Sequence, residues 1–186
     1  MLVRLHLCRV KFVLVLFSVL FVCFSCQHTD DTLAIPLYFD LPGYIQGEIR
    51  RQNAKAQAVV VHWEKDGQVE QKTGQQIDWK KALAALEKLD LNRTAYRGSY
   101  QVDSSQYGEQ LNVKYRASGA SVKPQTLHMV KEAGRIVRLE VTVADENFLY
   151  TSQTHYTYVP DDTLSISGTQ RVIFGKTHSY KRSYWY

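Results

Sequence analysis

The stretch Val137-Arg138-Leu139-Glu140-Val141-Thr142-Val143 decides the fold class. Apolar and polar residues alternate without a break, so one side of a β-strand is buried and the other is wet. The same period of two recurs on both sides of it. Leu111, Val113, Tyr115 and Ala117 alternate with Gln110, Asn112, Lys114 and Arg116. Phe148 and Tyr150 share a parity with Tyr156 and Tyr158, and Leu164, Ile166, Val172 and Phe174 predict a last apolar face on a long strand containing Gly168. Ala133-Gly134, Asp145-Glu146-Asn147 and Pro160-Asp161-Asp162 supply the turns. Consecutive strands joined by short turns make an antiparallel meander the economical topology.

Upstream the period changes. Asp40 is placed to cap a helix whose first turn tolerates Pro42, with Leu41, Tyr44, Ile45 and Ile49 at helical spacing. Glu48, Arg50 and Arg51 fall elsewhere around that helix. Gly43 and Gly47 weaken it by up to ~1 kcal/mol each. A strand from Ala58 to Glu64 turns at Asp66-Gly67 and returns from Val69 to Thr73. Asp78 then caps a second helix, with Trp79, Ala82, Leu83, Leu86 and Leu89 on one stripe. The sheet's apolar face needs cover, and the two amphipathic helices are the cover at hand. The fold class expected is α+β, a curved antiparallel β-sheet of five to seven strands packed on two helices. Trp63 and Trp79 are expected to fill the remaining volume of the core. The terminal stretch from Ser179 to Tyr186 reads as a last strand or as an exposed segment near lipid head groups.

The start of the chain is of another kind. Residues 1–11 carry Arg4, Arg9 and Lys11, and residues 12–26 read FVLVLFSVLFVCFSC without a charge. A membrane-spanning helix needs about 20 apolar residues, so this run has the length of a signal-peptide core. The expected organisation is a signal peptide over 1–25, a polar tether over 26–36 and one domain over 37–186. The 186 residues hold 23 Lys and Arg against 18 Asp and Glu. The leader takes three of the cations and no acid, so 20 basic residues face 18 acidic ones beyond it, a net charge of +2. That balance gives no basis for nucleic-acid binding. Cys8, Cys23 and Cys26 are the cysteines, and cleavage before Cys26 leaves one, at the first position. The domain then has no disulfide and no cysteine for a metal site.

Phe24-Ser25-Cys26 resembles the end of a bacterial lipobox, in which a small residue precedes a cysteine that receives diacylglycerol. Cys26 is therefore the expected lipidation site, and a membrane is the expected partner through that anchor. Asp30 and Asp31 resemble the acidic export patch of Bacteroidetes-type surface lipoproteins. Tyr38-Phe39-Asp40-Leu41, Ile77-Asp78-Trp79-Lys80 and Asp90-Leu91-Asn92, with the later strands, resemble an uncharacterised family of Bacteroidetes-type lipoproteins. That resemblance implies an exported, envelope-bound protein and brings no assigned activity.

Chemistry-bearing motifs are sparse. His28, His62, His128, His155 and His178 show no helical metal spacing, and there is no nucleophile elbow, phosphate loop or HExxH. No cofactor and no metal are expected. Asp161-Asp162 alone offers too few oxygens for calcium. All 12 tyrosines lie beyond the leader and read as sheet residues or as a binding face. The expected function is a lipid-anchored cell-envelope protein with a non-catalytic binding or structural role, its partner an envelope protein, glycan or lipid. Two alternatives stay open. One is a carrier of lipid or lipoprotein with an apolar cavity between sheet and helices, and the other is a hydrolase whose site is dispersed in sequence.

Overall fold

A computed structural model describes residues 36–186. The expected signal peptide, Cys26 and the part of the expected tether before Pro36 lie outside the described residues. Helix α1 spans Leu41–Lys55 and α2 spans Trp79–Glu87, with a single 3-10 turn at Thr94–Tyr96. Nine strands form one sheet: β1 Val59–Lys65, β2 Gln68–Gln75, β3 Tyr100–Tyr107, β4 Gln110–Ala117, β5 Thr126–Glu132, β6 Arg135–Glu146, β7 Tyr150–Val159, β8 Thr163–Val172 and β9 Thr177–Trp185. Their order is β2-β1-β9-β8-β7-β6-β5-β4-β3, antiparallel throughout. The fold is α+β, as the alternation implies.

Two strands more than the upper expectation are present. The β1–β2 hairpin is not separate from the later strands. It joins the sheet through β9, which pairs with β1 from Val60–Trp185 to Lys65–Tyr180. Strand β3 carries Gln and Ser on both sides and is exposed beyond Tyr100, so its alternation is too weak to read.

Both helices are capped as their sequences require. The Asp40 carboxylate accepts from the Gly43 N–H at 3.0 Å, and Asp78 accepts from the Lys81 N–H at 3.1 Å. The helices pack on each other and on one sheet face. On that face Met129, Leu139, Tyr158, Leu164, Tyr184 and Val61 stand in register across six strands. Leu41 and Ile45 from α1 and Leu83 and Leu86 from α2 complete the core, each at most 1% exposed. Nine of the tyrosines belong to this core or pack against it, which makes tyrosine an interior residue here. Asn92 fastens the start of the domain: its Oδ1 accepts from the Tyr38 N–H at 2.8 Å and its Nδ2 donates to the Tyr38 carbonyl at 3.1 Å.

Three expectations about the core are corrected. Trp63 is 37% exposed, because it lies on β1 next to the edge strand, outside the core that Trp79 enters at 3% exposure. Phe148, Val172 and Phe174 are exposed despite their parity, because they lie at or beyond strand ends that no core residue reaches. Glu48 and Arg51, expected only off the apolar stripe of α1, turn toward the sheet, as described next.

Candidate functional site

Four successive turns of α1 present Tyr44, Glu48, Arg51 with Gln52, and Lys55 toward the β7–β8 turn. The spacing of three to four residues puts them on one stripe. The Tyr158 hydroxyl donates to Glu48 Oε2 at 2.6 Å, and Gln52 Nε2 donates to the Tyr158 hydroxyl at 3.2 Å. Arg51 binds both acids: Nη2 donates to Glu48 Oε2 at 2.5 Å, and Nη1 donates to the Asp161 carboxylate oxygens at 2.7 and 2.6 Å. Lys55 Nζ donates to Asp161 Oδ1 at 2.5 Å.

The electrostatics follow from these contacts. Burial works to raise the Asp161 carboxyl, but hydrogen bonds from Lys55, Arg51 and Gln52 outweigh it and hold the group down at about 2. The hydrogen bond to Glu48 raises Arg51, and Asp161 adds to it. Burial first, then Glu48, raises the hydroxyls of Tyr44 and Tyr158. Three polar atoms here are buried without a hydrogen-bond partner: the Tyr44 and Tyr186 hydroxyls and Gln52 Oε1.

An open cleft of about 480 Å³ lies against this network, lined by Tyr44, Glu48, Arg51, Asp161 and Pro160 on one side and by Lys131, Gly134, Arg135 and Ile136 of the β5–β6 turn on the other. Among the described residues Lys131 and Arg135 make no ion pair. The cleft therefore pairs two free cations with an aromatic wall and two acids whose charges are already matched. The Asp161-Asp162 pair is no calcium site in this setting, because the Asp161 oxygens are taken by Arg51 and Lys55.

The other sheet face assembles a second group of scattered residues. Thr142, His155, Ser167, Lys181 and Glu64 stand in register across five strands. An open cleft of about 350 Å³ over Gly168 is lined by four of them, His155, Ser167, Lys181 and Glu64. The only hydrogen bond of the His155 ring among the described residues is between Nδ1 and the Thr142 hydroxyl at 3.1 Å, and the residue is exposed. Ser167 receives no hydrogen bond from it, and nothing shields the row from water, so the row lacks an activated nucleophile. His62 lies against the Trp185 ring at 5.7 Å, His128 meets Glu140 at 3.3 Å, and His178 meets Asp66 at 2.8 Å. All three are cross-strand or turn contacts, and the His, Cys, Asp and Glu side chains among the described residues form no group of three suited to a metal.

Sequence reasoning missed the α1 network. The available signal was Gln52, which continues the buried stripe of Leu41, Ile45 and Ile49 and is itself 1% exposed. A polar residue at a core position needs a partner, and Tyr158 and Asp161 provide it. No described helix is long and apolar enough to cross a membrane. No family model matches the chain, no curated protein matches it, and no solved structure does, so the likeness to Bacteroidetes-type lipoproteins rests on the sequence motifs alone.

Proposed function

We propose that this protein is exported, held on a membrane of the cell envelope by lipid on Cys26, and acts there by binding, without catalysis. The observation that carries the binding role is the cleft between α1 and the β5–β6 and β7–β8 turns. Lys131 and Arg135 are free of acidic partners there, beside the apolar body of Tyr44 and Ile136. Such a surface suits an anionic group on a glycan, a lipid or an envelope protein. Glu48 and Asp161 are both engaged by cations, which leaves neither free as a general base.

The carrier reading is less well supported. It needs an enclosed apolar cavity between sheet and helices. The cleft nearest that description, about 310 Å³ at Val61, Trp63, Ile77 and Tyr184, is open and also lined by Glu70, Lys72 and Arg182.

Two experiments test the proposal. Cys26→Ser abolishes metabolic palmitate labelling if the anchor is right, and persistent labelling of that variant sinks the anchor. Mass spectrometry of molecules co-purifying with the chain from Gln27 onward, repeated for Lys131→Ala/Arg135→Ala, finds an anionic species lost from the variant. Identical profiles for the two proteins reject the cleft as the binding site.

A further inference from the structure

The sheet has two ends. At one, the β5–β6 and β7–β8 turns frame the cleft described above. At the other, the β6–β7 and β8–β9 turns stand side by side and uncovered. Phe148 is 82% exposed, Leu149 61%, Ile173 53% and Phe174 99%. The two turns are fastened together: the Ile173 N–H donates to the Leu149 carbonyl at 3.1 Å, and Tyr150 pairs with Val172 in the sheet. Single exposed apolar residues are ordinary on a soluble domain, but four large ones on two adjoining turns form a patch that calls for an occupant. Arg171 and Lys176 flank it and make no ion pair among the described residues. Of the neighbouring acids, Asp145 is engaged by Lys123 and Asp66 by His178, which leaves Glu146.

We propose that this two-turn tip inserts into the lipid bilayer, a second membrane contact beside the acyl group on Cys26. The proposal rests on the lipid-anchor reading, and the geometry is consistent with both contacts meeting one membrane. The described domain begins at the tip's end of the sheet. Tyr38 packs edge-on against Tyr100 at 5.2 Å, and Tyr100 opens β3 at that end. The hydrogen bonds Ala117 N–H to Gln125 and Gln125 N–H to Thr142 put Tyr100 level with Thr142. Phe148 follows Thr142 by six residues, so the tip projects roughly 20 Å past that level. Four strand spacings separate β3 from β7, roughly 19 Å sideways. The offset is thus about 28 Å, and the ten residues from Cys26 to Pro36 reach up to about 35 Å. A side chain that is 99% exposed stands clear of its surroundings, which fits entry into a fluid phase better than a fitted protein groove. Basic residues behind an apolar tip complement anionic lipid head groups.

Flotation with vesicles of phosphatidylethanolamine and phosphatidylglycerol tests this. The protein used is the chain from Gln27 onward, which lacks leader and lipid but keeps the described core, since every described core residue lies at Tyr38 or beyond. It floats with the vesicles, and Phe148→Ser/Phe174→Ser lowers the bound fraction by about tenfold or more at an unchanged melting temperature. Arg171→Glu/Lys176→Glu weakens binding only when phosphatidylglycerol is present. Failure of the parent chain to float, or equal flotation of the Phe148→Ser/Phe174→Ser variant, overturns the proposal. So does a parent chain that stays off vesicles and runs as a dimer dissolved by the same two substitutions, which assigns the tip to a second copy. Palmitate labelling of Cys26 is read separately, so loss of the anchor and loss of the tip are told apart.

Discussion

The two ends of strands β6 to β9 carry the same alternation and meet opposite fates. Near the helices Leu139, Tyr158 and Leu164 are fully buried, whereas at the far end Val172 is 40% exposed and Phe174 stands in solvent. Parity fixes which face a residue shares, and cover decides whether that face is dry. Helices of 15 and 9 residues are about 22 and 13 Å long, against roughly 40 Å for the 12 residues of β6. The strands outrun their cover, so a buried pattern at one end becomes an exposed apolar tip at the other.

Substitutions on either side of that divide differ most in their cost. Leu86→Ala removes a side chain that is 1% exposed and is expected to lower unfolding stability by ~2–5 kcal/mol in denaturant titration. A loss below about 0.5 kcal/mol would erase the distinction between the two ends. Gly168→Ala comes next. It lies where the cover thins, and an added Cβ meets the Gln153 carbonyl oxygen and the Tyr180 hydroxyl, each at 2.7 Å. About 1–3 kcal/mol of destabilisation is expected, since the backbone partner cannot swing away.

Acid probes the covered end through Asp161. Its carboxyl is held down to about 2 from 3.8, so its contribution is complete above pH 3.8 and lost as pH falls toward 2. The melting temperature of Asp161→Asn should therefore show a shallower fall over that window than the parent. Parallel curves would mean that the network adds nothing to stability. Within α1, Gly47→Ala should stabilise by ~0.5–1 kcal/mol, because nothing lies within 4 Å of the new methyl group. Gly43→Ala should gain little, since its methyl group would clash with the Asp40 carboxylate and dislodge the cap. The smallest effect belongs to the tip: Phe174→Ser should change stability by no more than about 0.5 kcal/mol.

The sequence carries the fold where one face is dry and the other wet. Val137 to Val143 could be read at once, because the residues of one parity pack on the core. Of the outermost strands, β2 was legible from the Asp66-Gly67 turn rather than from alternation, since it is exposed along its whole length, and β3, exposed beyond Tyr100, could not be read. Polar edge strands escape both the pattern and edge-to-edge association. The α1 network was hidden for a different reason. Glu48 and Arg51 look like solvated helix residues until the β7–β8 turn, more than a hundred positions away, brings Asp161 to them.

The place of β9 between β1 and β8 has a consequence for how the chain reaches this state. Strands β3 to β8 can zip up neighbour by neighbour, each pairing with the strand made just before it. The β1–β2 hairpin has no such neighbour. Its partner is β9, the last strand of the domain, and Tyr186 just beyond it stacks on Trp79 at 5.3 Å. Contacts between distant parts of a sequence form slowly, because the loop must close before any pairing rewards it. The earliest strands of the domain thus stay unpaired on one side until the latest have formed, so the sheet closes last along the β1–β9 seam.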